Sequence, residues 1–162
     1  MTPPQIRRTT LFDLAVPFGI VGVTVYVLLR VSYGSIPTLN YASAVPLAAL
    51  AGAEFVAARR VRSAVRHVPG ARPMQAIAIA RCVALGKASS LVGSAVAGAA
   101  GGLLIRVIPE AGTVQAAAHD TRAGAFLAAA AGLIVAAGLL LERAGLDPNR
   151  DRGDEDNARP AR

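Results

Sequence analysis

With 162 residues the chain has room for one domain, and its content, 54% hydrophobic and 17% charged, is too apolar for an ordinary soluble domain, which carries roughly 45–50% and about 25%. The net charge of +7 would suit nucleic acid only on a soluble basic face with stacking aromatics; here the arginines stand at the ends of apolar runs, as membrane topology requires, so no nucleic-acid partner is expected. The single cysteine, Cys82, excludes an intrachain disulfide and a paired-cysteine metal motif, and reads as a small apolar filler.

Residues 1–10 form a polar tail with Arg7 and Arg8, and an apolar run from Leu11 to Leu29 follows, interrupted only by Asp13. This run exceeds the roughly 7–15 residues of a signal-peptide core, no convincing A-x-A site follows it, and three further apolar spans do, so it reads as a retained first span. Pro17 is a defect that membrane helices tolerate. Asp13, about one turn inside, is placed to meet interfacial water or cap the helix. Gly34, Pro37 and Asn40 then mark a turn flanked by Tyr33 and Tyr41, which suit the aromatic belt of an interface.

The second span is expected over 39–58, with Pro46 in its first turns and Glu54 one turn before Arg59-Arg60. From there the periodicity changes. Val61, Ala64, Val65 and Val68 recur at i, i+3, i+4 and i+7, with Arg59, Arg62 and Arg66 on the other side. This short basic amphipathic continuation suits an anionic leaflet, so Arg59, Arg60, Arg62 and Arg66 are candidate contacts for anionic lipid headgroups or a partner. The Pro69–Pro73 stretch breaks it, with Pro73 placed to begin the next helix.

A helix from Met74 to Ile108 is too long for one bilayer crossing, so the third span is expected over 87–108. Lys87 would snorkel at its start and Pro109 would end it. Residues 59–86 would then form a basic cytoplasmic hairpin. Along this helix Gly86, Ser90, Ser94, Gly98 and Gly102 recur every four residues, and Ser89, Gly93, Ala97 and Gly101 lie beside them. Two strips with almost no side chain let another helix backbone approach closely, which is how membrane helices associate. The fourth span, 123–141, carries its own small row, Gly124, Ala128, Gly132 and Ala136, the expected partner. Homo-oligomerisation or a membrane-protein partner would use the same physics on any small face left over. Residues 110–122 read as a mixed loop and 146–162, polar and rich in both signs, as a disordered tail.

The expected fold is therefore all-α: an integral membrane bundle of four transmembrane helices over 11–145, with helices two and three extended on the cytoplasmic side. Two Arg before the first span, seven Lys/Arg in 59–87 and five in 142–162 oppose Arg30 on one outer loop and Arg106 and Arg122 on the other. The positive-inside rule then puts both termini in the cytoplasm, and the expected location is the cell (plasma) membrane.

The string ARCVALGKASSLVGSAVAGAAGGLLI from Ala80 to Ile105, the basic segment before it, and the ending LLLERAGLDP from Leu139 to Pro148 resemble an uncharacterised actinobacterial family. It is catalogued as domain of unknown function 3180, small membrane proteins with four predicted helices. The resemblance covers about residues 9–148 and is most specific from Ala80 to Gly93 and at Leu141-Glu142-Arg143. Family members often continue with a Leu-Pro pair and a run of acids; here Leu146-Asp147-Pro148 departs from that, and Arg150 and Arg152 dilute the acids. The resemblance implies no activity.

Gly86-Lys87 fails as a phosphate loop, because that motif needs Gly five residues before the pair and Ser or Thr after it, where Arg81 and Ala88 stand. Asp13, Glu54, Lys87, Glu142 and Arg143 all fall near one membrane edge, and a Glu54–Lys87 ion pair between helices two and three would account for both. His67 and His119 fall on opposite sides, and no nucleophile–base pair or ligand set lies at one depth. Neither catalysis nor a cofactor or metal is expected. The reading is a non-enzymatic accessory or structural envelope component; the alternative is a small transporter or channel subunit acting as an oligomer, disfavoured because only Thr24, Ser90 and Ser94 offer polar groups in mid-membrane.

Overall fold

Each apolar run folds into one helix. The computed structural model describes residues 9–32, 41–66, 69–70 and 73–145. It forms α1 (Leu11–Ser32), α2 (Ala44–Val65), α3 (Ala76–Val107) and α4 (Gln115–Ala144), with short 3₁₀ turns at Tyr41–Ser43 and Ile108–Glu110. All four helices are long and apolar enough to cross a membrane. The expected basic tail at Arg7 and Arg8, the turn over 33–40, His67, Val68, Arg72 and the tail 146–162 lie outside the described residues.

Local chemistry sets the helix ends. The Thr10 amide and hydroxyl donate to Asp13 Oδ2 at 2.9 and 3.0 Å, while the Asp13 amide donates back to Thr10 O at 3.1 Å. This reciprocal box satisfies orphan donors at the start of α1, and capping is one of the two roles the sequence suggested for Asp13. α1 continues through Pro17. α2 runs unbroken from its apolar half into Arg59–Arg66, so the basic segment is part of one rigid helix. Gly70, at φ 84°, makes the turn that follows. α3 starts at Ala76, beyond Pro73, and ends at Val107, where Pro109 enters a 3₁₀ turn.

α4 differs from expectation. It begins at Gln115, so most of the anticipated 110–122 loop is helix. Gln115 and three successive alanines are good helix formers, and hydropathy marks only the apolar part of a helix, not its polar first turns.

The chain order is not the packing order. α3 packs along both α1 and α4, α2 packs along α4 and leans only lightly on α3, and α1 packs along neither α2 nor α4. The spatial order is therefore α1–α3–α4–α2. Leu29 near the end of α1 clusters with Leu103, Val107 and Ala117, while Ala58 and Val61 near the end of α2 cluster with Leu141 and Ala144. The start of α1, the end of α2, the start of α3 and the end of α4 thus share one end of the bundle. Large apolar side chains such as Phe12, Ile20, Val23 and Val31 point outward. On a soluble protein that surface would be an aggregation or docking patch; in lipid it is ordinary.

The α3 glycine row is buried throughout, but it serves two partners. A Cβ on Gly86 would stand 2.6 Å from Gly138 O of α4, whereas one on Gly98 or Gly102 would stand 2.2 or 2.3 Å from Phe18 O or Gly22 O of α1. Helical geometry explains the exchange. At about 100° per residue, each four-residue step rotates the row by about 40°, so Gly86 and Gly98 face directions about 120° apart.

The same drift overturns the expected row on α4. Gly124 is buried against Leu103 and Leu104, but Ala128 is only half-buried, Ala136 is exposed, and nothing lies within 4 Å of a Cβ on exposed Gly132. The face that meets α3 instead has a seven-residue spacing. Gly124, Ala131, Gly138 and Gly145 lie against Leu103–Leu104, Gly93, Gly86 and Val83 respectively. A seven-residue step rotates by only about 20°, so such a row stays on its neighbour along the whole helix.

Candidate functional site at the basic end of the bundle

Seven of the described basic residues, Arg59, Arg60, Arg62, Arg66, Arg81, Lys87 and Arg143, gather at the end where α2 and α4 finish and α3 begins; Arg30, Arg106 and Arg122 stand at the other. Ala58 and Val61 fix the α2 cluster by packing into the Leu141–Ala144 cluster of α4. That leaves Arg59, Arg60, Arg62 and Arg66 exposed on a helix that cannot roll. The guanidinium carbon of Arg59 lies 4.4 Å from the centre of the Phe55 ring, a cation–π contact that keeps an arginine beside the apolar flank of α2. Of the apolar stripe expected to lie on a leaflet, Val61 is buried in the bundle and Val65 packs against the same cluster. The arginines are what remains outside.

Just inside this end, two carboxylates are buried. Glu142 is 3% exposed, and its Oε1 accepts the Thr9 amide at 2.7 Å, tying the entry of α1 to the end of α4. Its Oε2 has no hydrogen-bond partner. Glu54 is 2% exposed, and neither of its oxygens has one. The hydrogen-bonded ion pair expected with Lys87 is therefore not made at Glu54. α2 points Glu54 toward Ser89, whose hydroxyl is near enough to act on it but outside hydrogen-bond geometry. Lys87 lies two residues from Ser89, and residues two apart on a helix do not share a face.

The serines of the α3 row bring no free polarity. Ser90 Oγ donates to Lys87 O at 2.9 Å and Ser94 Oγ to Leu91 O at 2.7 Å. With their hydroxyls folded back onto the helix, they act as small residues beside the glycines.

The opposite end holds a second polar group. His119 packs edge-on to Tyr41 with ring centres 4.7 Å apart, Tyr41 meets Phe126 in the same way at 6.0 Å, and His119 Nδ1 lies 3.6 Å from Asp120 Oδ1. Arg106 pairs with Glu110 one turn on. Among the described residues no three His, Cys, Asp or Glu side chains converge to hold a metal ion.

The sequence reading missed Phe18 and Gly22 as the α1 wall against Gly98 and Gly102, and Ala131, Gly138 and Gly145 on α4. The signal for α4 was present in the seven-residue spacing from Gly124 to Gly145. None in α1 separated Gly22 from Gly19, which meets nothing.

A family model described as a protein of unknown function (DUF3180) matches residues 14–149. No curated protein and no solved structure matches the chain.

Proposed function

The chain belongs to the DUF3180 family of proteins of unknown function, and from that footing we infer that it is a non-enzymatic accessory or structural component of the cell envelope that engages anionic lipid headgroups. In this reading the protein sits in the plasma membrane with both termini and the α2–α3 connection in the cytoplasm. The observation that carries it is the exposure of Arg59, Arg60, Arg62 and Arg66 on the last turns of a helix whose apolar edge is buried in the bundle. A fixed row of guanidinium groups beside the hydrocarbon boundary meets the negative potential of a cytoplasmic leaflet, worth about 1 kcal/mol per basic residue. The seven-to-three bias of described Lys/Arg between the two ends supports the same orientation.

The test is the lipid that stays with the protein. Detergent-purified wild type should retain anionic over zwitterionic phospholipid, as read by mass spectrometry. Reversing Arg59, Arg60, Arg62 and Arg66 to Glu should cut that preference by at least about a thousandfold on the same per-residue figure. An unchanged lipid profile would sink the reading.

A further inference from the structure

Glu54 is the residue for which packing gives no account. It lies between Ala51, which clusters with Ile134 and Ala137 of α4, and Ala58, which clusters with Leu141 and Ala144. At this level α4 offers alkyl side chains and the bare backbone of Gly138, and α3 offers the hydroxyl of Ser89, itself 7% exposed, and that of Ser90, which is already donated to Lys87 O. The remaining titratable groups of these walls point elsewhere. Lys87 is on another face of α3, Cys82 packs one turn further out against the Ala58–Leu141 cluster, Glu142 is engaged by the Thr9 amide, and Arg143 is exposed. A carboxylate sealed in alkyl surroundings without donors is too costly to persist as an anion; it must hold a cation or a proton. A metal ion or Na⁺ needs several oxygen ligands, and among the described residues the hydroxyl that reaches toward the carboxyl is that of Ser89, Ser90 being bonded back to Lys87 O.

We propose that Glu54 is a proton-binding site inside the membrane domain, loaded from the basic end of the bundle. The distance suits exchange. Glu54 is five residues from Arg59, or about 7–8 Å along the helix, close enough for water at the arginine end to reach it through a brief opening between α2 and α4. The long remainder of α2 toward Tyr41 carries no ionisable side chain, so nothing there relays a proton to the opposite end. The site is a one-sided proton store, which would couple the seating of α2 on α4 to proton uptake at the basic end.

The test uses the full chain in proteoliposomes with the apolar reagent dicyclohexylcarbodiimide. A protonated carboxyl adds across the C=N bond: its proton goes to nitrogen, its oxygen bonds to carbon, and the O-acylisourea rearranges to a stable N-acylurea with no leaving group and no redox change. Peptide mapping of wild type by tandem mass spectrometry should find the adduct at Glu54. It should be lost in Glu54→Gln, retained in Glu142→Gln, and indifferent to added Na⁺. An unlabelled Glu54 with label at other carboxyls would overturn the proposal, as would protection of Glu54 by Na⁺, which would make it a metal-cation site. The wild-type map decides the matter even where a variant does not fold.

Discussion

Gly98 of α3 lies directly against the backbone of Phe18 in α1: a Cβ there would stand 2.2 Å from the Phe18 carbonyl oxygen and 2.9 Å from its carbonyl carbon. Gly22, one turn along α1, meets Gly98 O in the same way, with its own hypothetical Cβ at 3.0 Å. The two helices touch backbone to backbone, and no flexible side chain can yield. In lipid, where apolar side chains gain nothing by leaving hydrocarbon for protein, such close approach is what holds α1 to the bundle.

Gly98→Ala must therefore push α1 away from α3, at a cost of about 1–3 kcal/mol by the usual toll of overpacking. Gly132→Ala, at a position with nothing within 4 Å, should be neutral or stabilise slightly through helix propensity, by at most about 1 kcal/mol. Thermal loss of the monodisperse peak in detergent measures both. Equal destabilisation by the two changes would contradict the backbone contact at Gly98 and the open face at Gly132.

The Gly86–Gly138 crossing gives a sharper comparison, because each glycine is shaped for the other. A Cβ on either would stand 2.6 Å from the other's carbonyl oxygen. Each single alanine variant should lose about 1–3 kcal/mol. The double variant should lose less than the sum by at least about 0.5 kcal/mol, since the first substitution already separates the helices. Strict additivity in a double-mutant cycle would argue that the two do not share one contact.

Glu142 makes a testable tie between the chain's entry and its last helix. Glu142→Ala removes the acceptor of the Thr9 amide and should cost about 1–3 kcal/mol for the donor left unpaired. Glu142→Gln keeps a carbonyl oxygen in place and should fall closer to wild type. Comparison of the two melting curves checks this, and a Gln variant as unstable as the Ala variant would show that charge matters here more than the hydrogen bond.

The number of helices and the gathering of arginines at one end were legible in the sequence because hydropathy blocks and charge position are one-dimensional quantities. The α3 row from Gly86 to Gly102 was legible as a packing surface for the same reason. Its division between α4 and α1 was not, since the identity of a partner depends on how helices are arranged around α3, and the chain does not record that. The mistaken choice of Gly132 on α4 has a plainer cause. A four-residue period drifts around the helix, and a row that faces one neighbour along its length must repeat every seven residues, as Gly124, Ala131, Gly138 and Gly145 do. Glu54 was picked out as an acid near the membrane edge and a partner for Lys87, but its isolation from Lys87 follows from which face of α3 turns toward α2, a tertiary fact.

The most direct test of the account is the side of the membrane on which the basic end lies. In a Cys82→Ser background, single cysteines at exposed Gln75, beside the basic end, and exposed Gly112, at the other, can be probed in sealed right-side-out vesicles with a membrane-impermeant maleimide. Gly112→Cys should label at once, and Gln75→Cys only after permeabilisation. Immediate labelling of Gln75→Cys with protection of Gly112→Cys would invert the protein, remove the arginines from the anionic leaflet, and contradict the account.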